Sequence, residues 1–143
     1  MQRALALACR CSESADVPVG ALVLDSRGDV VGEGWNRREA DGDPLAHAEV
    51  IALREAASHR SGWRLDGCTL VVTLEPCAMC AGALVAARVD RVVFGAWDDK
   101  AGACGSVWDL ARDRLSVHRV EVVGGVDEAA CARVLREFFA GRR

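Results

Sequence analysis

The chain has 143 residues, 51% hydrophobic and 27% charged, the composition of a folded globular protein, which excludes a disordered one. Its longest apolar runs, residues 81–87 and 92–97, are too short to cross a bilayer, and arginines interrupt the first ten residues, so no membrane partner and a cytoplasmic location are expected. Eighteen basic against 21 acidic residues give a net charge of −3, so charge alone gives no ground for nucleic-acid binding.

Residues 2–13 place Ala4, Leu5, Ala8 and Cys9 at three-and-four spacing, which predicts an amphipathic first helix. Two β-rich runs, 17–24 and 30–35, flank Asp25-Ser26-Arg27-Gly28-Asp29 and predict a hairpin. Residues 39–43 are polar and turn-like. Asp43-Pro44 then has the form of a helix opening, with aspartate as cap and proline in the first position, and Val50, Leu53 and Ala57 carry the pattern toward His59.

Residues 68–74 predict a third strand and 78–88 a helix whose Ala81, Gly82, Ala83, Ala86 and Ala87 permit close packing on a neighbour. A fourth strand over 89–95 leads into a long connection with a short helical piece near Trp108-Asp109-Leu110. A fifth strand follows at 119–123, and a crossover of that length suits parallel pairing better than a hairpin. Residues 127–139 close the chain as a helix with Ala130, Val134, Leu135 and Phe138 inward. Strands alternating with helices predict one α/β domain over 1–143, built as a three-layer sandwich.

The chemistry centres on Cys77 and Cys80, three apart after Pro76, which puts two sulfurs on one face of an opening helical turn. His47, near the start of the preceding helix, supplies a third ligand, and three protein ligands leave a tetrahedral zinc one open position for water. Glu49 fits a proton carrier, because a coordinated carboxylate would close the site. Residues two apart on a helix point about 200° apart, so His47 and Glu49 meet one ion only at the helix end. Two helix N-termini aimed at the ion would favour thiolates.

A lone C-x-x-C also fits a structural zinc or a redox pair. A structural site needs a fourth Cys or His at suitable spacing, and none stands there. His59 and His118 read as surface or structural residues, and Cys9, Cys11, Cys68, Cys104 and Cys131 as buried or free thiols. The parts predict hydrolysis at an amidine-like carbon: zinc makes water nucleophilic near neutral pH, and Glu49 relays its proton to a ring nitrogen and then to the departing amine.

H-x-E with P-C-x-x-C is the signature of zinc nucleobase deaminases, in the cytidine/deoxycytidylate deaminase superfamily. Nearly the whole chain resembles one branch of it, the bacterial tRNA-specific adenosine deaminases of the TadA type. The stretches that carry the resemblance are Val17-Pro18-Val19-Gly20-Ala21, Gly32-Glu33-Gly34-Trp35-Asn36-Arg37, His47-Ala48-Glu49, residues 73–83, Arg91-Val92-Val93-Phe94-Gly95-Ala96 and Phe138-Phe139. Residues 98–106, with Lys-x-Gly-Ala-x-Gly-Ser from Lys100, are the part most particular to the family.

The resemblance implies a cytidine-deaminase-like α/β/α sandwich on a mixed five-stranded sheet, a bound Zn2+, a homodimer, and conversion of adenosine to inosine at the wobble position of an arginine tRNA anticodon stem-loop. It implies that Asn36 contacts the flipped nucleotide, that Leu45 and Ala46 line the base pocket, and that Asp98 and Lys100 meet the anticodon loop. Phe139, Arg142 and Arg143 would lie along the RNA on the last helix. Trp97 stands where the family usually has a basic residue, Leu45 replaces a small polar one, and the longer basic tail common in the family is lacking. Two other readings exist: a deaminase of a free base or nucleoside such as guanine or cytosine, which the acidic charge favours, and a non-catalytic partner subunit, which the intact Glu49 disfavours.

Overall fold

The computed structural model describes residues 1–142. Five strands, β1 (Gly20–Leu24), β2 (Val30–Trp35), β3 (Thr69–Leu74), β4 (Arg91–Ala96) and β5 (Glu121–Val123), form one sheet in the order β2-β1-β3-β4-β5. β1 is antiparallel to β2 and β3, while β3, β4 and β5 run parallel. The sheet is therefore mixed, and the long connection before β5 is a parallel crossover as its length predicts. The helices are α1 (Gln2–Ala8), α2 (Arg38–Asp41), α3 (Ala48–His59), α4 (Ala78–Ala86) and α5 (Glu128–Ala140).

Alternation along the strands divides the side chains between two layers. Ala21, Val23, Leu70, Val72, Val92 and Phe94 meet α3 and α4 in the larger cluster, while Leu22, Val71 and Val93 meet α1 on the other face. α5 covers β4 on that second face, with Cys131 against Gly95. Fully burying a side chain of this kind contributes about 1.5–3 kcal/mol, so the α3–α4 side is the firmer one. It is also the side that carries the proposed metal ligands.

Two glycines set the height of α3. A Cβ on Gly32 would sit 2.3 Å from the Ala52 carbonyl oxygen, and one on Gly34 would sit 2.3 Å from that of Ala48. Only glycine lets the helix backbone lie directly on β2. The first residue of α3, Ala48, is thereby pinned over the C-terminal end of β2, and His47 with it.

Four local expectations are corrected. The Asp43-Pro44 segment is a turn and not a helix start: the Asp43 carboxylate accepts from the Leu45 N–H at 2.8 Å and its carbonyl from Ala46 at 3.1 Å, so the helix begins at Ala48. Aspartate followed by proline suits a turn as well as it suits a cap. Residues 39–43, expected as a plain turn, contain the helical turn α2, closed by Gly42 at φ +60°. The piece near Trp108 is extended and pairs back on its own loop, with Trp108 N–H to Gly102, Leu110 N–H to Ala103 and a bridge between Cys104 and Asp109. The first helix buries Ala4, Leu7, Ala8 and Cys11 and leaves Cys9 exposed, since the chain tightens to a 3-10 turn over Cys9–Glu13. Among the described residues no helix is long and apolar enough to cross a membrane.

Candidate active site

One end of the sheet gathers the segments that matter: the approach to β1, the exit of β2 at Asn36, the exit of β3 at Glu75 and the exit of β4 at Asp98. Crevices at the C-terminal ends of parallel strands are where open α/β sheets bind ligands. Two helix N-termini enter the same place. His47 caps α3 with extended backbone (φ −72°, ψ 149°) and Cys77 caps α4 in the same way (φ −72°, ψ 177°). Glu49 and Cys80 follow within the first turn of each helix.

His47 Nδ1 lies 3.7 Å from Cys77 Sγ and 3.5 Å from Cys80 Sγ, and the three ligand atoms all fall within 4.8 Å of one another. Zinc bonded at about 2.3 Å to sulfur and about 2.0 Å to nitrogen in a tetrahedron separates S from N by about 3.6 Å. The set fits a zinc ion with one position left over. One imidazole and two sulfurs also match the ligand preference of zinc.

The polarity of the group leads to the same conclusion. A hydrogen bond from Cys80, followed by one from His47, holds the Cys77 thiol at about 3 against the opposing effect of burial. Donation to Cys77, then burial, pushes Cys80 well above the ordinary thiol range. The two thiols are thus strongly coupled to one another, and a cation between them would favour both as thiolates. His47 is raised, chiefly by its bond to Cys77. Glu49 is buried, and burial raises its carboxyl to about 7. It is not one of the three clustered ligands.

Beside this group is a cavity of about 180 Å³. Its lining includes His47, Glu49, Cys77, Asn36, Arg38 and Asp98. Asn36 and Asp98 are therefore brought to the pocket. Leu45 and Ala46 are not among its lining residues: Leu45 is 48% exposed, and Ala46 is buried with its carbonyl accepting from Arg37 N–H. Lys100, Phe139 and Arg142 are brought together elsewhere, around a cavity of about 760 Å³ with Leu135, Arg136 and Ala140. Arg142 also donates to the Ala15 carbonyl at 3.0 Å and lies over the Phe138 ring. Arg143 lies outside the described residues.

Three positions that shape or line the pocket escaped the sequence. Glu75 is buried, and its carboxylate accepts from the backbone N–H of Asp98 (3.0 Å), Cys104 (3.0 Å) and Ser106 (3.1 Å), so a single side chain shapes the loop over residues 98–106. A Cβ on Gly102 would lie 2.2 Å from that carboxylate. Asp16 does the same for α2, accepting from the N–H of Glu39 and Ala40. Arg38 stands on the pocket wall. An acid beside Pro76 was visible in the sequence, but its amide partners lie about thirty residues away and carry no side-chain signal.

Residues 1–96 match the family model of the cytidine and deoxycytidylate deaminase zinc-binding region. The chain is 46% identical over 143 residues to the tRNA-specific adenosine deaminase of Haemophilus influenzae, covering all of this chain and 83% of that one. It superimposes with TM-score 0.90 and 37% identity, covering 94% of this chain and 97% of the other, on a structure from a study of A-to-I editing by tRNA:A34 deaminases at the wobble position of transfer RNA. A guanine deaminase from Nitrosomonas europaea is also similar, with TM-score 0.79 and 30% identity over 97% of this chain and 82% of that one.

Proposed function

The chain belongs to the zinc-binding cytidine and deoxycytidylate deaminase family and, within it, to the tRNA-specific adenosine deaminases, and on that footing we propose how it acts. It hydrolyses adenosine to inosine at the wobble position of a tRNA anticodon, with an arginine tRNA as substrate. The observation that carries this is a narrow pocket whose lining joins a buried carboxyl to a three-ligand metal group.

His47, Cys77 and Cys80 hold zinc, which when bound supplies an acidified water as nucleophile. Glu49, with its carboxyl near 7, can both accept and give a proton at neutral pH. It takes a proton from the attacking water and delivers it to N1 of the adenine as oxygen adds at C6. It then takes the remaining proton of the hydroxyl now on C6 and gives it to the amine, so the C6–N bond breaks, ammonia leaves and the oxygen stays on the base as a carbonyl. About 180 Å³ is small beside the roughly 300–1,000 Å³ of sites that enclose a drug-sized ligand. One flipped base fits, and ribose and neighbours remain outside.

Those neighbours meet the walls. Asn36 is fixed by donating Nδ2–H to the Val17 carbonyl at 3.0 Å and accepting from the Arg38 N–H at 3.5 Å, which holds its amide at the pocket lining beside the nucleotide. Lys100 lies in sequence between Asp98 and Ala101, which line the pocket, and itself borders the second cavity with Phe139 and Arg142. Its cations suit phosphates and the exposed Phe139 ring suits a stacked base.

An anticodon stem-loop with adenosine at the wobble position is expected to react roughly 100-fold faster or more than adenosine, guanine or cytidine. One stacked base and one charged phosphate contact are each worth about 1–3 kcal/mol. The measurement is sequencing of the RNA after incubation, where inosine reads as guanosine, with parallel ammonia release from the free compounds and a salt series. The similarity to a guanine deaminase and the net charge of −3 favour a free-base deaminase as the second reading. Equal rates on a free base and no response to salt would establish it.

A homodimer working in the cytoplasm completes the proposal. Ala81 and Leu84 of α4 serve the core, while Ala83, Ala86 and Ala87 form an open apolar surface with Val50, Ala57 and the exposed Trp63. Light scattering that gives a monomer at micromolar concentration would overturn the dimer, and fractionation with membranes would overturn the location.

A further inference from the structure

We infer that Arg38 is a phosphate-binding residue of the base pocket, gripping a phosphodiester next to the flipped nucleotide and so favouring a nucleotide within a chain over a free base. The inference rests on the function proposed above.

A helix of four residues does not form on its own, since nucleation costs more than one turn returns. α2 exists because Asp16, 1% exposed, reaches across to it. Asp16 Oδ1 accepts from Glu39 N–H at 2.7 Å, and Oδ2 accepts from Ala40 N–H at 3.1 Å and from the Ser14 hydroxyl at 2.7 Å. The consequence is that Arg38, first residue of the turn, is held on the wall of the cavity that contains Glu49 and His47.

Its guanidinium has no direct side-chain partner there, though its charge acts through space on Asp16 and His47. The neighbouring Arg37 is engaged with Asp41 at 2.9 and 2.7 Å. Among the described residues, Arg38 makes no side-chain hydrogen bond or ion pair, and both oxygens of Asp16 are already taken by N–H groups. Arg38 is exposed, so its guanidinium is open to solvent as well as to the pocket it lines. The ligand follows from what the pocket excludes. Once a base fills the pocket, only ribose and phosphate stand at the rim, and ribose is neutral. A guanidinium matches the phosphate with two parallel N–H bonds. Asp98, which also lines the pocket, would repel it, so the phosphate is favoured near Arg38 and disfavoured near Asp98.

The test measures binding of the wobble-adenosine stem-loop across a salt series, for the parent, Arg38→Ala, Arg38→Lys and Arg64→Ala. Arg64 pairs with Asp66 just before β3, at the opposite end of the sheet. Loss of one charged phosphate contact should raise Kd and KM of Arg38→Ala roughly 10- to 100-fold. It should also flatten the slope of log K against log salt by about 0.7–0.9. Its kcat at saturating RNA should stay within a few fold of the parent, and Arg38→Lys should keep most of the slope. Arg64→Ala should match the parent throughout.

A Kd within twofold of the parent, or an unchanged salt slope, overturns the inference. If Arg38→Ala melts early, Arg38→Gln decides: a parent-like midpoint with a raised Kd and a flattened slope upholds the contact, and a parent-like slope overturns it. Should the parent leave the stem-loop unedited, the proposed function falls and this inference with it. Editing by the parent together with parent-like binding by Arg38→Ala removes only the role of Arg38.

Discussion

Glu49→Ala and Glu49→Gln are both expected to keep zinc and fold and to lose turnover by at least about 10³-fold. Each proton transfer by a positioned acid or base is worth about 10²–10⁴, and one carboxyl serves several transfers here. Its place makes the effect separable from metal loss. Glu49 sits in the first turn of α3, two residues after His47, and is not part of the three-atom group. Burial that holds the carboxyl near 7 instead of its ordinary 4.5 also penalises the metal-free fold as pH rises through that value, because the charged form must then be buried. Gln removes that penalty and keeps the shape, so metal-free Glu49→Gln should unfold at a higher midpoint than the parent above pH 7 and equally below pH 4. Elemental analysis and single-turnover kinetics read the main prediction. Activity within tenfold of the parent would show that another group moves the protons.

The site was legible in the sequence to the extent that it is local. His47-x-Glu49 and Cys77-x-x-Cys80 each belong to one helix start, so spacing alone placed each pair, and proline before Cys77 marked the turn. The sheet was legible because strand period and crossover length are also local, and the parallel β4–β5 pair followed from the latter. What failed was what depends on distant partners. Asp43 was free to cap a turn or a helix, and the choice fell to the turn because α3 is fixed on β2 through Gly32 and Gly34, which starts it at Ala48. The loop over residues 98–106 takes its shape from Glu75, and α2 from Asp16, each through backbone N–H groups that every sequence possesses.

Cys80→Ala is expected to abolish stoichiometric zinc binding, activity and part of the stability together. Cys80 is fully buried, in the first turn of α4 and 3.5 Å from His47 Nδ1, so no solvent thiol or mobile side chain can take its place. Two donors would remain, Cys77 and His47, and the α3 and α4 termini would lose the bridge between them. A zinc ion present at a thousand times its dissociation constant adds about 4.1 kcal/mol to the folded state. At roughly 2–4 °C per kcal/mol for a chain of this size, stripping the parent with a chelator should lower its unfolding midpoint by about 8–16 °C. The same chelator should hardly move the variant, whose midpoint should already lie near that of the stripped parent. His47→Ala and Cys77→Ala should behave alike, since a three-ligand site tolerates the loss of none. Full zinc occupancy in Cys80→Ala with an unchanged midpoint would remove Cys80 from the ligand set, and with it the three-ligand geometry on which the open coordination position depends.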